Sequence, residues 1–249
     1  MDLAGGSREV DRDGRTGRDE AVIVEPAAVA ELTRLGPRLA AAGLGLGLAH
    51  AGEPRLGPAG PAEASAAATM TPGRRSEFLA GREAARRALR AMSVDCGEIP
   101  REGRLPVFAP GRAASISHSA GIAVAVARVP GEHAPLGCDL ELRPLPRGAA
   151  RLVVHPDEEP LLGTPGGAGA GPWSLTGLFS AKEAAWKALH LALDRADTVS
   201  MRTVHDLRAE PCGDALHISL RAGQSYGVRV RVLPIGAGVF SYALGWADA

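Results

Sequence analysis

Two kinds of apolar spacing alternate along the chain. Between residues 75 and 92, Phe78, Leu79, Ala85, Ala88, Leu89 and Met92 recur near every 3.6 positions with arginines between them, which predicts a helix. A second run of this kind, 178–191, predicts another. Short continuous apolar runs predict strands at 122–129, 136–142, 215–220, 226–233 and 239–244, separated by glycine-containing turns. Residues 21–48 are apolar enough for a strand and a helix or turn. Stretches rich in Gly, Pro and Ala predict a loop or linker at 51–73, an extended loop at 104–111 and a flexible excursion over 143–173, with low complexity at 163–171. Residues 1–20 mix both charge signs with Gly and Ser and predict a disordered tail. A helix followed by strands appears in both halves. This hints at an internal repeat, although no repeated residues are visible.

Composition narrows the functional classes. The 249 residues suit one large domain or two small ones, and 45% apolar with 22% charged content is normal for a globular chain. The formal net charge is zero, so no global field attracts nucleic acid or an anionic membrane, and an anion site must be a local cluster of basic residues. Aromatics make up 4%, too few for a base-stacking surface. Cys96, Cys138 and Cys212 are scattered, with no spacing suited to zinc, and point to a reducing, cytoplasmic setting. The apolar run at 39–49 is too short to span a bilayer.

Four short motifs carry candidate chemistry. In the 178–191 helix, Glu183 and Lys187 are four apart and share a face, with Lys182 beside them. A carboxylate suits a hard cation and lysines suit phosphate oxygens. The same spacing also suits an ordinary surface ion pair. In Gly137-Cys138-Asp139-Leu140-Glu141, Asp139 and Glu141 point to one strand face, where they are solvated or bridged by a cation. With Glu183 they make three oxygen ligands, a set that suits Mg²⁺. Ser115-Ile116-Ser117-His118-Ser119 offers hydroxyls and an imidazole to a phosphate, or caps a turn. No G-x-S-x-G elbow surrounds these serines. Arg75, Arg82 and Arg86 can gather on one side of the first helix and its entry, where their forks match phosphate geometry.

Taken in order, these pieces resemble the stand-alone 4'-phosphopantetheinyl transferases that serve siderophore, peptide and polyketide synthetases, the enterobactin-synthetase-associated type above all. The resemblance rests on Arg75-x-x-Phe78-Leu79-Ala80-Gly81-Arg82-x-Ala84-Ala85, Pro106-Val107-Phe108-x-Pro110-Gly111, Ser115-Ile116-Ser117-His118-Ser119, Gly137-x-Asp139-x-Glu141 and Phe179-Ser180-x-Lys182-Glu183-x-x-Trp186-Lys187-Ala188. It departs from the usual pattern at Cys138, Ala114 and Phe108.

The resemblance implies an α+β fold of two similar subdomains related by a pseudo-two-fold, each a small antiparallel sheet with a packed helix. The subdomains would span 21–132 and 133–246, with a flexible insertion near 160–173 where such enzymes contact their carrier. It implies transfer of the 4'-phosphopantetheine arm of coenzyme A to a serine of an acyl or peptidyl carrier protein, as a cytoplasmic monomer, with adenosine 3',5'-bisphosphate released. Asp139, Glu141 and Glu183 would hold Mg²⁺. Lys182 and Lys187 would contact the pyrophosphate. Ser117 and His118 would hold coenzyme A phosphate oxygens. Arg75 and Arg82, with Arg74 as a weaker candidate, would lie near the 3'-phosphate. Glu183 is the first candidate for general base. The alternatives are a Mg²⁺-dependent phosphodiesterase or nucleotide hydrolase, and a non-catalytic coenzyme A-binding module.

Overall fold

The computed structural model describes residues 26–128, 135–163, 171–193, 201–222 and 227–246. The expected tail at 1–20 and the centre of the expected insertion, 164–170, lie outside the described residues. The chain opens with helices α1 (Pro26–Arg34) and α2 (Gly36–Ala41) and strand β1 (Leu44–His50). Helices α3 (Pro61–Ala68) and α4 (Pro72–Ala91) follow, then a hairpin of β2 (Arg101–Glu102) and β3 (Leu105–Pro106), then β4 (Ala113–Ser119) and β5 (Ile122–Arg128). Strand β6 (Cys138–Glu141) leads through the short helix α5 (Ala150–Val153) and a 3-10 turn (Pro156–Leu161) to helix α6 (Leu175–Ala192). Strands β7 (Leu207–Cys212), β8 (Ala215–Leu220), β9 (Gly227–Ile235) and β10 (Gly238–Trp246) end the described chain.

The fold is α+β, with antiparallel sheets ordered β1-β5-β4 and β6-β10-β9-β8-β7, beside the β2-β3 hairpin. Both larger sheets use one plan. A first strand leads to a long helix, the last strand pairs with the first, and the strand before it lies outside: β1-β5-β4 and β6-β10-β9. The second sheet adds β8 and β7 to the outer edge.

The close packing repeats as well. A Cβ at Gly47 would collide with the carbonyl of Ala84 and the amide of Ala88, and one at Gly137 with the carbonyl of Ala184 and the amide of Ala188. Glycine on the strand and alanine on the helix let the two backbones approach. These matching contacts put positions of α4 and α6 in correspondence. Arg82-Glu83-Ala84-Ala85-Arg86-Arg87-Ala88-Leu89 recurs as Lys182-Glu183-Ala184-Ala185-Trp186-Lys187-Ala188-Leu189.

Strand β5 is buried along its whole length, and its two faces divide by size. Ala123, Ala125 and Ala127 pack with Ala84, Ala85, Ala88 and Leu89 of α4. Ile122, Val124 and Val126 face a core shared with Leu140, Ile235, Phe240 and Tyr242 of the second sheet and Leu32 and Leu39 of α1 and α2. A separate cluster joins α6 to Leu207, Leu216, Ile218, Val228 and Val230. Core burial of this kind contributes roughly 1.5–3 kcal/mol for each large aliphatic side chain.

Three expectations need correction. The expected loop at 51–73 contains α3. Pro61 stands in its first turn, where the missing N–H costs nothing, and the helix is fastened by fully buried Glu63. That carboxylate accepts from the amides of Ala59 and Ile99 and pairs with Arg86 at 2.8 Å. The described part of the expected flexible excursion, 143–163, instead forms helical turns anchored by buried Glu158. Its far end is tied by a Leu162–Trp173 bridge. Strand β7 was not among the expected strands; its Pro211 is tolerated because β7 lies at a sheet edge.

Candidate active site

The edge strands β4 and β6 lie side by side, and serines fasten them. Ser115 Oγ accepts from the amide of Cys138 at 3.0 Å, Ser117 Oγ donates to Asp139 Oδ1 at 2.8 Å, and Ser119 Oγ accepts from the amide of Leu142 at 3.0 Å. Strand periodicity of two puts all three serines on one face. Ser117 thus orients Asp139 while still lining the adjoining cleft.

That cleft, about 600 Å³, is lined by Arg74, Glu77, Phe78, Gly81 and Arg82 from α4, by Arg101, Arg104 and Pro106 from the hairpin, by Ile116, Ser117 and His118 from β4, and by Lys187 from α6. Five cationic side chains face one carboxylate, so the space favours a polyanion. Arg74 Nη1 and His118 Nε2 lie at hydrogen-bond distance, 2.9 Å. Arg82 stacks over the Phe78 ring at 4.5 Å and donates to the carbonyl of Ile99 at 2.8 Å. Burial above all, with Arg101, Arg86 and Arg74 adding and Glu63 opposing, lowers Arg82 to about 10. An anion in the cleft would relieve that crowding. A smaller, mainly apolar groove of about 180 Å³ adjoins it, sharing Arg104, Pro106, Ile116 and Lys187 and reaching Phe108, Trp186 and His190.

Lys187 marks the boundary between the cleft and the carboxylates. Its Nζ donates to Asp139 Oδ1 at 2.8 Å and to the carbonyl of Cys138 at 3.0 Å. Asp139 is 3% exposed, and its Oδ2 has no hydrogen-bond partner among the described residues. Burial first, then Asp139 and Glu183, push Glu141 up to about 7 against the pull of Lys187. Burial also raises Glu183, with Lys187 opposing and Asp139 adding. Glu141 and Glu183 therefore both sense Asp139, which Lys187 pairs at 2.8 Å. Among the described residues, however, no three His, Cys, Asp or Glu side chains are grouped closely enough to hold an ion. In this structure Asp139, Glu141 and Glu183 do not converge on one point. Lys187 already holds one oxygen of Asp139, and three unscreened acids repel. The donor chemistry still fits a hard cation, since the buried Asp139 oxygen is an unsatisfied acceptor.

Two further expectations are not met by the placement of the side chains. Lys182 is 0% exposed and lies away from this cluster, bonded to Glu158 at 2.8 Å and to the carbonyl of Val153 at 2.7 Å. Arg75 is exposed and does not line the cleft, whereas Arg74, one residue earlier, does. Arg101 and Arg104 were missed. Their signal was the turn residue Gly103, which adopts φ 58° in a hairpin that brings both exposed arginines to the cleft.

Residues 62–128 match the family model of the 4'-phosphopantetheinyl transferase N-terminal domain. That stretch runs from α3 to β5 and holds the four cleft arginines, Ser117 and His118, while Asp139, Glu141, Glu183 and Lys187 lie beyond it. No curated protein matches the chain.

Proposed function

We propose that the protein transfers the 4'-phosphopantetheine arm of coenzyme A to a serine of an acyl or peptidyl carrier protein, with Mg²⁺ as its metal. Subdomains at 21–132 and 133–246 would each supply half of the site. The observation that carries this reading is the cationic cleft opening, at Lys187, onto Asp139 and the raised carboxylates of Glu141 and Glu183. Arg74, Arg82, Arg101, Arg104 and His118 suit the phosphorylated nucleotide end of coenzyme A. The apolar groove past Lys187 suits its uncharged arm.

The carrier serine oxygen attacks the phosphorus that carries the pantetheine. The bond from that phosphorus to the bridging oxygen breaks, and adenosine 3',5'-bisphosphate leaves. Glu183 is the first candidate to take the serine proton, directly or through a water. Lys187, whose pKa is raised by Asp139 despite burial, stays charged and meets the negative charge that grows on the leaving oxygen. Asp139, Glu141 and Glu183 would hold Mg²⁺, which supplies further charge stabilisation at the pyrophosphate when bound.

The test is mass spectrometry of apo-carriers mixed with the protein, coenzyme A and Mg²⁺. A gain of about 340 Da, one phosphopantetheine on one serine, is expected. Coenzyme A cleavage without a carrier would favour a hydrolase instead, and binding without transfer to any carrier would favour a coenzyme A-binding module.

A further inference from the structure

We propose that Lys182 is a positioning residue. It does not contact coenzyme A, but fixes the rotation of α6 and so aims Glu183 and Lys187 at β6. The inference rests on the transfer reading above.

Lys182 has both partners on the far side of the helix. Its Nζ donates to Glu158 Oε2 at 2.8 Å and to the carbonyl of Val153 at 2.7 Å. Glu158 is itself a buried hub. It accepts from the amides of His155 and Ala209 at 3.0 and 2.6 Å, and Arg221 Nη2 stands 2.8 Å from the oxygen that Lys182 holds. One carboxylate thus joins the 156–161 turn, the start of β7 and the middle of α6. A buried ammonium is stable only while paired, so the pair holds the helix to one rotation. Each helical residue turns about 100°, so side chain 183 leaves the axis about 100° from 182, and 187 about 140° from it. Fixing Lys182 in the hub therefore faces Glu183 and Lys187 away from it, and Lys187 meets Asp139 there.

The repeat supports this reading. Arg82, at the matching place in α4, also donates to a backbone carbonyl outside its helix, that of Ile99 after it, as Lys182 does to Val153 before α6.

Lys182→Met and Glu158→Gln in the full chain test the role, each assayed well below its melting temperature. Both are expected to lower kcat by about ten- to a hundredfold while KM and the calorimetric Kd for coenzyme A stay within about twofold. The double variant should fall no further than the worse single, because the two residues act as one unit. A rise of about tenfold or more in the coenzyme A Kd for Lys182→Met alone would show a phosphate contact and overturn the proposal. Unchanged kcat with only a lower melting temperature in both singles would overturn it in favour of a purely stabilising pair. Failure of the unaltered chain to charge any carrier would overturn the transfer reading itself.

Discussion

The two halves place one glutamate at the same point of the same helix and treat it in opposite ways. Glu83 is held by Arg86, Arg87 and Arg90 at 3.0, 3.0 and 2.7 Å, and these arginines outweigh burial to lower its pKa. The matching places around Glu183 hold Trp186, Lys187 and His190. Trp186 and His190 stack on each other at 4.8 Å, and Lys187 turns to Asp139. Burial then raises Glu183. The strands differ in the same sense. Arg87 donates to the carbonyl of Leu48 and Lys187 to that of Cys138, one residue after each packing glycine. Two residues after each glycine stand Ala49 in one half and Asp139 in the other. Backbone packing is shared, whereas reactive groups arise where compensating charge has been withdrawn.

Exchanging the two glutamates for glutamine tests that contrast most severely. Glu183→Gln should lower transfer by about 10²–10³-fold, about 3–4 kcal/mol in the barrier, with the melting temperature unchanged or raised, since an undercompensated acid is removed. Glu83→Gln should leave the rate within about twofold and cost about 1 kcal/mol of stability, the sum of a few partly exposed pairs. Steady-state kinetics and thermal melts on both variants decide it. Equal rate losses would mean that the two positions are not functionally distinct.

The shared element can be broken symmetrically. Gly47→Ala and Gly137→Ala each drive a methyl into a helix carbonyl that cannot retreat. Each should cost about 1–3 kcal/mol, the usual range for overpacking, read as a lower denaturation midpoint. A large loss at one glycine and none at the other would show that the helices are not seated alike.

Much of this was legible in the sequence, because motif order survives wherever chemistry constrains residue type. The helix around Glu183 and the strand with Asp139 and Glu141 were placed on their elements, whereas the serine run, expected just before a strand, is itself strand β4. What was misread follows from angle and from distant partners. Lys182 and Glu183 are adjacent, and adjacent helical residues diverge by about 100°, which here carries Lys182 to Glu158 and Val153 rather than to Asp139. The same rotation separates Arg75 from Arg74. Nothing local announces that Glu63 and Glu158 are buried, since their partners Arg86, Ile99, Lys182 and Ala209 lie 23 to 51 positions away. Helix α3 was hidden by the same Ala, Gly and Pro composition that marks loops. The repeat was hidden because Arg86 and Arg90 became Trp186 and His190, and what persisted, Glu-Ala-Ala followed by Ala-Leu, is ordinary helix interior.

The smallest difference between the halves should appear in acid. Glu53 is lowered from 4.5 by its hydrogen bond to Arg87, but it is a surface group. Glu158 is lowered too. Burial raises it, yet the amide of His155, Lys182 and the amide of Ala209 together outweigh that. A carboxylate whose folded pKa lies below its unfolded value contributes stability above the unfolded value, and loses it as pH falls through the folded one. Both groups therefore stabilise the protein above about 4.5, and that stability drains away below it. Solvent screens the Glu53 pair, so its share should be a few tenths of a kcal/mol. The slope of melting temperature against pH over the acid limb should flatten clearly in Glu158→Gln and barely in Glu53→Gln. Equal flattening in the two variants would mean that the buried hub of the second half carries no more of the acid sensitivity than a surface pair of the first.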